Sequence, residues 1–312
     1  MGMAPLREPF FADAVRRRRQ AQKAAPDSCR MTLDEFLAGA TDAGSLTPDG
    51  FIFHMSRCGS TLIAQMLAAM PRYIVISEAP PLDAIVQLDR AMPTLPGDRH
   101  VALLRAMVAA LGRRRNGDER RFIVKLDCWH ALALPLFRRA FPSVPWVFVY
   151  RDPVDVLVSH MRQPGTQMVS AIVPAALYGL NDADALPGAD YYARVLNRIC
   201  AAALTHHGDG GLVIDYRDLP GAVASKILPH FGMTCTADDL GLMTGAAQYD
   251  AKSPGLVFAG DRAAKQREAT PQLRALAATH LSDICRRLDR LAGHLGDHLA
   301  DHLGDRLGDH LA

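Results

Sequence analysis

Five short apolar runs limit what this chain can fold into more than any other feature. One begins at Phe51, and the others lie at 73–77, 122–126, 145–150 and 212–216. Each is rich in Val, Ile, Phe or Tyr and is followed by a helix-compatible segment, which reads as strand then helix, repeated. Strands that are apolar on both faces and alternate with helices imply a parallel sheet. The expected fold class is therefore α/β, three layers about a central, mostly parallel sheet of five strands, with helical insertions. Ligands of such sheets bind beyond the C-terminal strand ends. Arg57 follows the first strand, Glu78 the second and Arg151 the fourth, and Lys125 lies near the end of the third.

A chain of 312 residues with 49% hydrophobic content can build one large α/β domain with decorations, or two modest ones. The expected division is an N-terminal helical extension over 1–48, the main domain over 49–292 and a tail over 293–312. A formal net charge of +2 is too small to imply a nucleic acid or an anionic membrane as partner. The four consecutive arginines at 16–19 fall in a helix-compatible stretch over 9–24 and read as its solvated face, with Phe10, Phe11 and Val15 on the apolar side. Six scattered cysteines without a Cys-x-x-Cys fit a reducing cytoplasm. No stretch approaches the roughly 20 apolar residues of a membrane helix, and the first residues lack the apolar core of a signal peptide. A soluble, cytoplasmic protein is expected; oligomeric state carries no sequence signal.

Residues 80–117 read as helical, including 102–111, and so do 167–207, with breaks at Pro174 and Pro187-Gly188. These insertions are expected to cover the sheet and shape an acceptor pocket. The stretch 248–265 reads as a long loop, in which Lys252 and Lys265 are taken as exposed. A helix is expected to start at Thr270-Pro271, capped by the threonine. The tail repeats four-residue units whose leucines drift about 40° per step around a helix, and its glycines weaken that helix further. His294, His298 and His302 have metal-compatible spacing, but the tail reads as frayed and remote from the chemistry.

Two segments carry the chemistry. From Phe51 the chain reads Phe-Ile-Phe-His-Met-Ser-Arg-Cys-Gly-Ser-Thr, then enters a helix-like stretch. A strand, a tight turn and a helix N-terminus make an anion site, because the first helical N–H groups lack internal partners. Gly59 and Thr61 fit the end of the kinase and ATPase loop, whereas His54 stands at its first glycine and Ser60 replaces its lysine. The loop thus suits a phosphate without the lysine that reaches the terminal phosphates of ATP. The second segment is Tyr150-Arg151-Asp152-Pro153, with Ser159 eight positions after the arginine. Asp152 can cap a helix opened by Pro153. Arg151 and Ser159 are compatible with a second anion, or with a structural ion pair and a packed serine.

Together these segments resemble the sulfotransferase family that uses 3′-phosphoadenosine 5′-phosphosulfate (PAPS), over roughly residues 50–265, and its bacterial branch in particular. The resemblance implies a P-loop-like nucleotide fold, PAPS as cosubstrate and no metal. It assigns the 5′-phosphosulfate to Arg57, Cys58, Gly59, Ser60 and Thr61, and the 3′-phosphate to Arg151 and Ser159. Tyr216, in a segment similar to the family's Tyr-Glu-Asp-Leu, would support the adenine. Arg57 would stabilise charge on the leaving oxygen, and Lys125 would share that role or face the acceptor. For the base that takes the acceptor's proton, Glu78 ranks first, at the place where some relatives carry a glutamate. Asp127, where the cytosolic class has a histidine, ranks second; His54 and His130 read as structural. The implied acceptor is a small molecule presenting a hydroxyl or amine. A degenerate ATP-using phosphotransferase and an inactive nucleotide-fold partner protein are the alternatives.

Overall fold

The structure, a computed structural model, describes residues 8–21, 30–40, 44–181, 188–208, 210–253, 255–257 and 260–293. The repeats that carry His294, His298 and His302 lie outside the described residues.

All five expected strands form: β1 (Gly50–His54), β2 (Tyr73–Ser77), β3 (Arg121–Lys125), β4 (Trp146–Tyr150) and β5 (Gly211–Asp215). They make one sheet, every pair parallel, in the order β2-β3-β1-β4-β5. Successive strand side chains point to opposite faces, yet β1 and β4 are buried at every position. Both faces of the sheet centre are therefore covered, which is why these runs are apolar throughout and do not alternate. The rings of Phe51 and Phe53 meet Phe137 edge-on at 5.3 and 5.5 Å, and Phe53 meets Trp146 at 5.7 Å. Burying such a side chain contributes roughly 1.5–3 kcal/mol.

Before the sheet come α1 (Phe11–Ala21) and α2 (Leu33–Gly39). Phe11 and Ala14 are buried and Val15 is half-buried, while Arg16, Arg17 and Arg19 face solvent, so the arginine run is a solvated face. Helix α3 (Ser60–Ala68) follows β1; α4 (Pro80–Val86), α5 (Leu88–Ala91) and α6 (Gly97–Leu111) follow β2, where helices are expected. Beyond β3 a 3-10 turn over Cys128–Ala133 leads to α7 (Leu134–Ala140), and beyond β4 comes α8 (Pro153–Arg162). The next insertion differs from expectation. Its first half forms only the short 3-10 turns Thr166–Met168 and Ala175–Tyr178, and the long helix α9 (Ala189–Thr205) starts after Gly188. Pro164, Gly165, Pro174 and Gly179 punctuate that stretch too closely for a helix to propagate.

After β5 come α10 (Leu228–His230), α11 (Ala237–Ala247), α12 (Arg262–Glu268) and α13 (Pro271–Ala292). The expected loop over 248–265 is shorter than its sequence suggested, since α12 starts within it. Helix α13 begins as expected: the Thr270 hydroxyl accepts from the Leu273 N–H and Pro271 takes the first turn. Its buried positions Leu273, Ala277, Leu281, Ile284 and Leu288 follow helical spacing and pack on α8 and α9. Among the described residues no helix is long and apolar enough to cross a membrane.

Candidate active site

The turn after β1 is built from unusual backbone. Among the described residues, the non-glycine positions with left-handed φ are Ser56 (94°), Arg57 (51°) and Glu78 (49°), and Gly59 adds 85°. Such residues curl a chain so that its N–H groups converge into an anion-binding concavity. Gly59 stands at the N-cap of α3 without a side-chain cap bond among the described residues, so the first N–H groups of α3 are left for another acceptor. Only glycine fits there. A Cβ would lie 2.8 Å from the Tyr216 ring and 2.8 Å from Leu219, on a left-handed backbone. Gly59→Ala is expected to cost roughly 2 kcal/mol, read as a lowered thermal unfolding midpoint.

Buried neighbours hold the turn. His54 Nδ1 accepts from the Ser56 N–H at 3.2 Å, so Nε2 carries the proton and donates to the Leu126 carbonyl at 2.9 Å. Burial, and then the nearby Lys125, lower the His54 pKa, and the ring is a neutral brace. Gln167 Nε2 donates to Ser56 Oγ at 2.6 Å. The Cys58 thiol donates to the Val149 carbonyl at 3.1 Å, and burial pushes its pKa up to about 11. Cys58 thus offers the site its backbone, not a thiolate. Arg57 reaches across to the Gln163 carbonyl at 2.8 Å.

The segment around Arg151 takes shape at the end of β4. Asp152 accepts from the N–H groups of Val154 and Asp155 at 2.8 and 3.2 Å and caps α8. Arg151 is buried, its guanidinium 4.1 Å from the centre of the Tyr216 ring. It donates to Asp155 Oδ2 at 3.0 and 2.8 Å and to Asp261 Oδ1 at 3.1 Å. Ser159 Oγ donates to the Asp155 carbonyl at 2.9 Å. The ion pair expected as one reading of Arg151 is present.

A second group of charged side chains gathers at the ends of β2 and β3. Lys125 is fully buried. Its ammonium is hydrogen-bonded to Glu78 Oε1 and lies 5.6 Å from the centre of the Phe10 ring. Burial alone would raise the Glu78 pKa, but Lys125 and His54 outweigh it and hold the carboxyl well below its usual range. Asp127 has the opposite balance. Burial pushes it up to about 7; Glu78 and Asp83 add to the rise, and His130 and Lys125 only partly offset it.

Behind Asp127, the carboxylate of Asp83 accepts at Oδ1 from Trp129 (2.8 Å), His130 (2.8 Å) and Gln87 (2.9 Å), and at Oδ2 from Gln87 (2.8 Å). Asp83, Asp127 and His130 stand close enough to ligate an ion. The donors already on Asp83 explain the cluster as a hydrogen-bonded carboxylate. His130 is buried within that network.

One cavity of about 680 Å³ joins the three parts. Its wall includes Arg57, Cys58, Gly59, Ser60 and Thr61 from the turn, and Arg151, Ser159 and Tyr216 from the second segment. Glu78 and Asp127 complete the other end, whereas Lys125 lies behind Glu78 and does not itself line the space. Sequence reasoning missed several neighbours. Phe10 lines the cavity from the N-terminal extension, and Trp129 and Gln167 line it from insertions. Lys265, expected to be an exposed loop lysine, is buried, because it sits on α12 where that helix packs against α8. Lys252 is exposed as expected, yet it too lines the cavity. The spacing of Asp261 and Lys265, four apart, was the signal available for that pair.

Comparison with known proteins gives the family. The sulfotransferase family matches residues 48–238, more than half of the chain. No curated protein matches the sequence. Among solved structures, the chain is similar to a sulfotransferase from Mycobacterium tuberculosis, with 15% identity, a TM-score of 0.44 and coverage of 80% of this chain and 79% of that one. It is also similar to the sulfotransferase domain of a Synechococcus olefin synthase, with 18% identity, a TM-score of 0.46 and coverage of 77% and 96%. A sulfotransferase from Alicyclobacillus acidocaldarius gives 14% identity, a TM-score of 0.46 and coverage of 80% and 96%. On the extent of the family match, this chain belongs to the sulfotransferase family.

Proposed function

We propose that the protein transfers the sulfuryl group of PAPS to a hydroxyl of a small acceptor, with Asp127 as the base. The observation that carries this reading is the joining of two anion sites and a carboxylate cluster in one cavity. The turn at 56–61 and the N-terminus of α3 suit the 5′-phosphosulfate. Arg151, with Ser159 beside it, suits a 3′-phosphate, the group that separates PAPS from ATP. Tyr216, packed on both Gly59 and Arg151, stands between the two sites, where a nucleoside would bridge them.

In this mechanism the acceptor oxygen attacks sulfur as the bond from sulfur to the bridging oxygen breaks. The departing 3′,5′-ADP keeps the bond's electron pair, and Asp127 receives the acceptor's proton. Positioned cations stabilise charge growing on the bridging oxygen, and we assign that task to Arg57, which lines the cavity from the turn. Asp127 is placed ahead of Glu78 because a base works best with a pKa near the operating pH. An ion-paired carboxylate held below its usual range is a weak base, and Glu78 instead neutralises Lys125.

Thermal unfolding of the full chain tests the nucleotide. At a hundredfold excess over Kd, 3′,5′-ADP should stabilise it by about 2.7 kcal/mol, while ATP with magnesium should leave the midpoint unchanged. Stabilisation by ATP alone would overturn the PAPS reading.

A further inference from the structure

The proposed 3′-phosphate site already contains an anion of the protein's own. Asp261 Oδ1 accepts from Arg151 at 3.1 Å, and its Oδ2 lies 2.6 Å from Lys265 Nζ. Both cations are about 5% exposed, and all three residues line the cavity beside Ser159. One carboxylate therefore bridges two buried cations, in the geometry a phosphate would adopt between them.

Charge balance shows what a phosphate must displace. The cluster holds the cations Arg151 and Lys265 and the carboxylates Asp155 and Asp261, which already cancel. A phosphate dianion added to that set would leave unbalanced negative charge at close range, in a place where salt screens little. Asp155 cannot give way: it is 1% exposed, lies within α8 and also accepts from Gln266 at 2.8 Å. The Asp261 side chain is 41% exposed and sits outside any helix or strand.

Asp261 also has somewhere to go. It occupies the N-cap of α12, the position at which aspartate is among the best capping residues. Asp152, Thr236 and Thr270 cap their helices with their side chains. Among the described residues Asp261 makes no such bond: its carboxylate is engaged by Arg151 and Lys265, and its backbone, at φ −111° and ψ 3°, is not in the extended conformation from which Thr236 and Thr270 cap. Two places compete for one side chain, the cation pair and the end of α12.

We propose that Asp261 is a built-in competitor for the nucleotide's 3′-phosphate: it bridges Arg151 and Lys265 in the free protein, and phosphate binding drives it to the N-terminus of α12, leaving Lys265 as a phosphate ligand. The proposal rests on the PAPS reading. It gives the protein a tunable affinity for 3′-phosphorylated nucleotides, set by how strongly Asp261 holds the cations.

Calorimetric titration of the full chain with 3′,5′-ADP and with 5′-AMP, which lacks the 3′-phosphate, tests it. Asp261→Asn and Asp261→Ser remove the competing charge while keeping a side chain able to cap α12, and should bind 3′,5′-ADP about tenfold more tightly with 5′-AMP unchanged. Lys265→Met should weaken 3′,5′-ADP about tenfold and leave 5′-AMP unaffected. Unchanged or weakened 3′,5′-ADP binding in both Asp261 variants overturns the competitor, even if the wild-type protein prefers 3′,5′-ADP. A wild-type protein that binds the two nucleotides equally overturns the PAPS reading itself, and the competitor with it.

Discussion

Asp127→Asn should lower kcat by about 10²–10³-fold, the loss of a positioned general base, while leaving the affinity for 3′,5′-ADP within about twofold. The assay is transfer from labelled PAPS to an acceptor found by screening hydroxylated metabolites. The wild-type kcat/KM should rise with pH and level off above about 7, where Asp127 becomes ionised, and the asparagine variant should lose that rise. Stability should move the other way. A carboxyl whose folded pKa lies above its unfolded value contributes stability only at low pH, and that contribution is lost as pH climbs through the folded value. The wild-type protein therefore loses Asp127's contribution between roughly pH 4 and about pH 7. The asparagine variant does not, so its melting temperature should gain on the wild type by pH 8.

Glu78→Gln separates the two carboxylates. It leaves the fully buried Lys125 ammonium without its ion-pair partner, a change expected to destabilise the fold by about 3–5 kcal/mol. A Glu78→Gln protein that melts normally but has lost turnover would return the base to Glu78. Full turnover in both variants would remove both carboxylates as the base, whereas a wild-type protein without turnover, unchanged by either substitution, would favour an inactive nucleotide-fold protein.

Much of this architecture is legible from the chain because its signals are local. The runs that become β1 and β4 are apolar at nearly every position, as strands covered on both faces must be. Asp152-Pro153 and Thr270-Pro271 announce helix starts by capping chemistry alone. The turn after β1 announces itself in the same way, through Gly59 and the hydroxyls that follow at the start of α3. What is not legible depends on partners distant in sequence. Phe10 reaches Lys125 from 115 positions away, with no pattern to mark it. Lys265 looks like a loop lysine until α12 is laid on α8. The contrast between Glu78 and Asp127 has the same origin. Both are carboxylates just past a strand, and the ion pair with Lys125, helped by His54, drives the pKa of Glu78 down while burial drives that of Asp127 up.

Arg57→Ala should cost about 10²–10³-fold in kcat, the scale of losing one preorganised group that stabilises transition-state charge. The affinity for 3′,5′-ADP should fall by less than about fivefold, because backbone N–H groups and Arg151 carry ground-state binding in this reading. Arg57 is also held at φ 51°, a left-handed conformation that side chains rarely adopt. Alanine keeps that strain, whereas Arg57→Gly releases it, relieving roughly 1–2 kcal/mol against about 0.5–1 kcal/mol of added chain entropy. Glycine should therefore leave the melting temperature unchanged or slightly raised, yet lose turnover as alanine does. That outcome would mean the strained backbone exists to aim the guanidinium. If kcat held steady while KM for PAPS and Kd for 3′,5′-ADP rose together, Arg57 would be a uniform binding group, and the charge on the leaving oxygen would have to be met by Lys252, the lysine that lines the same cavity.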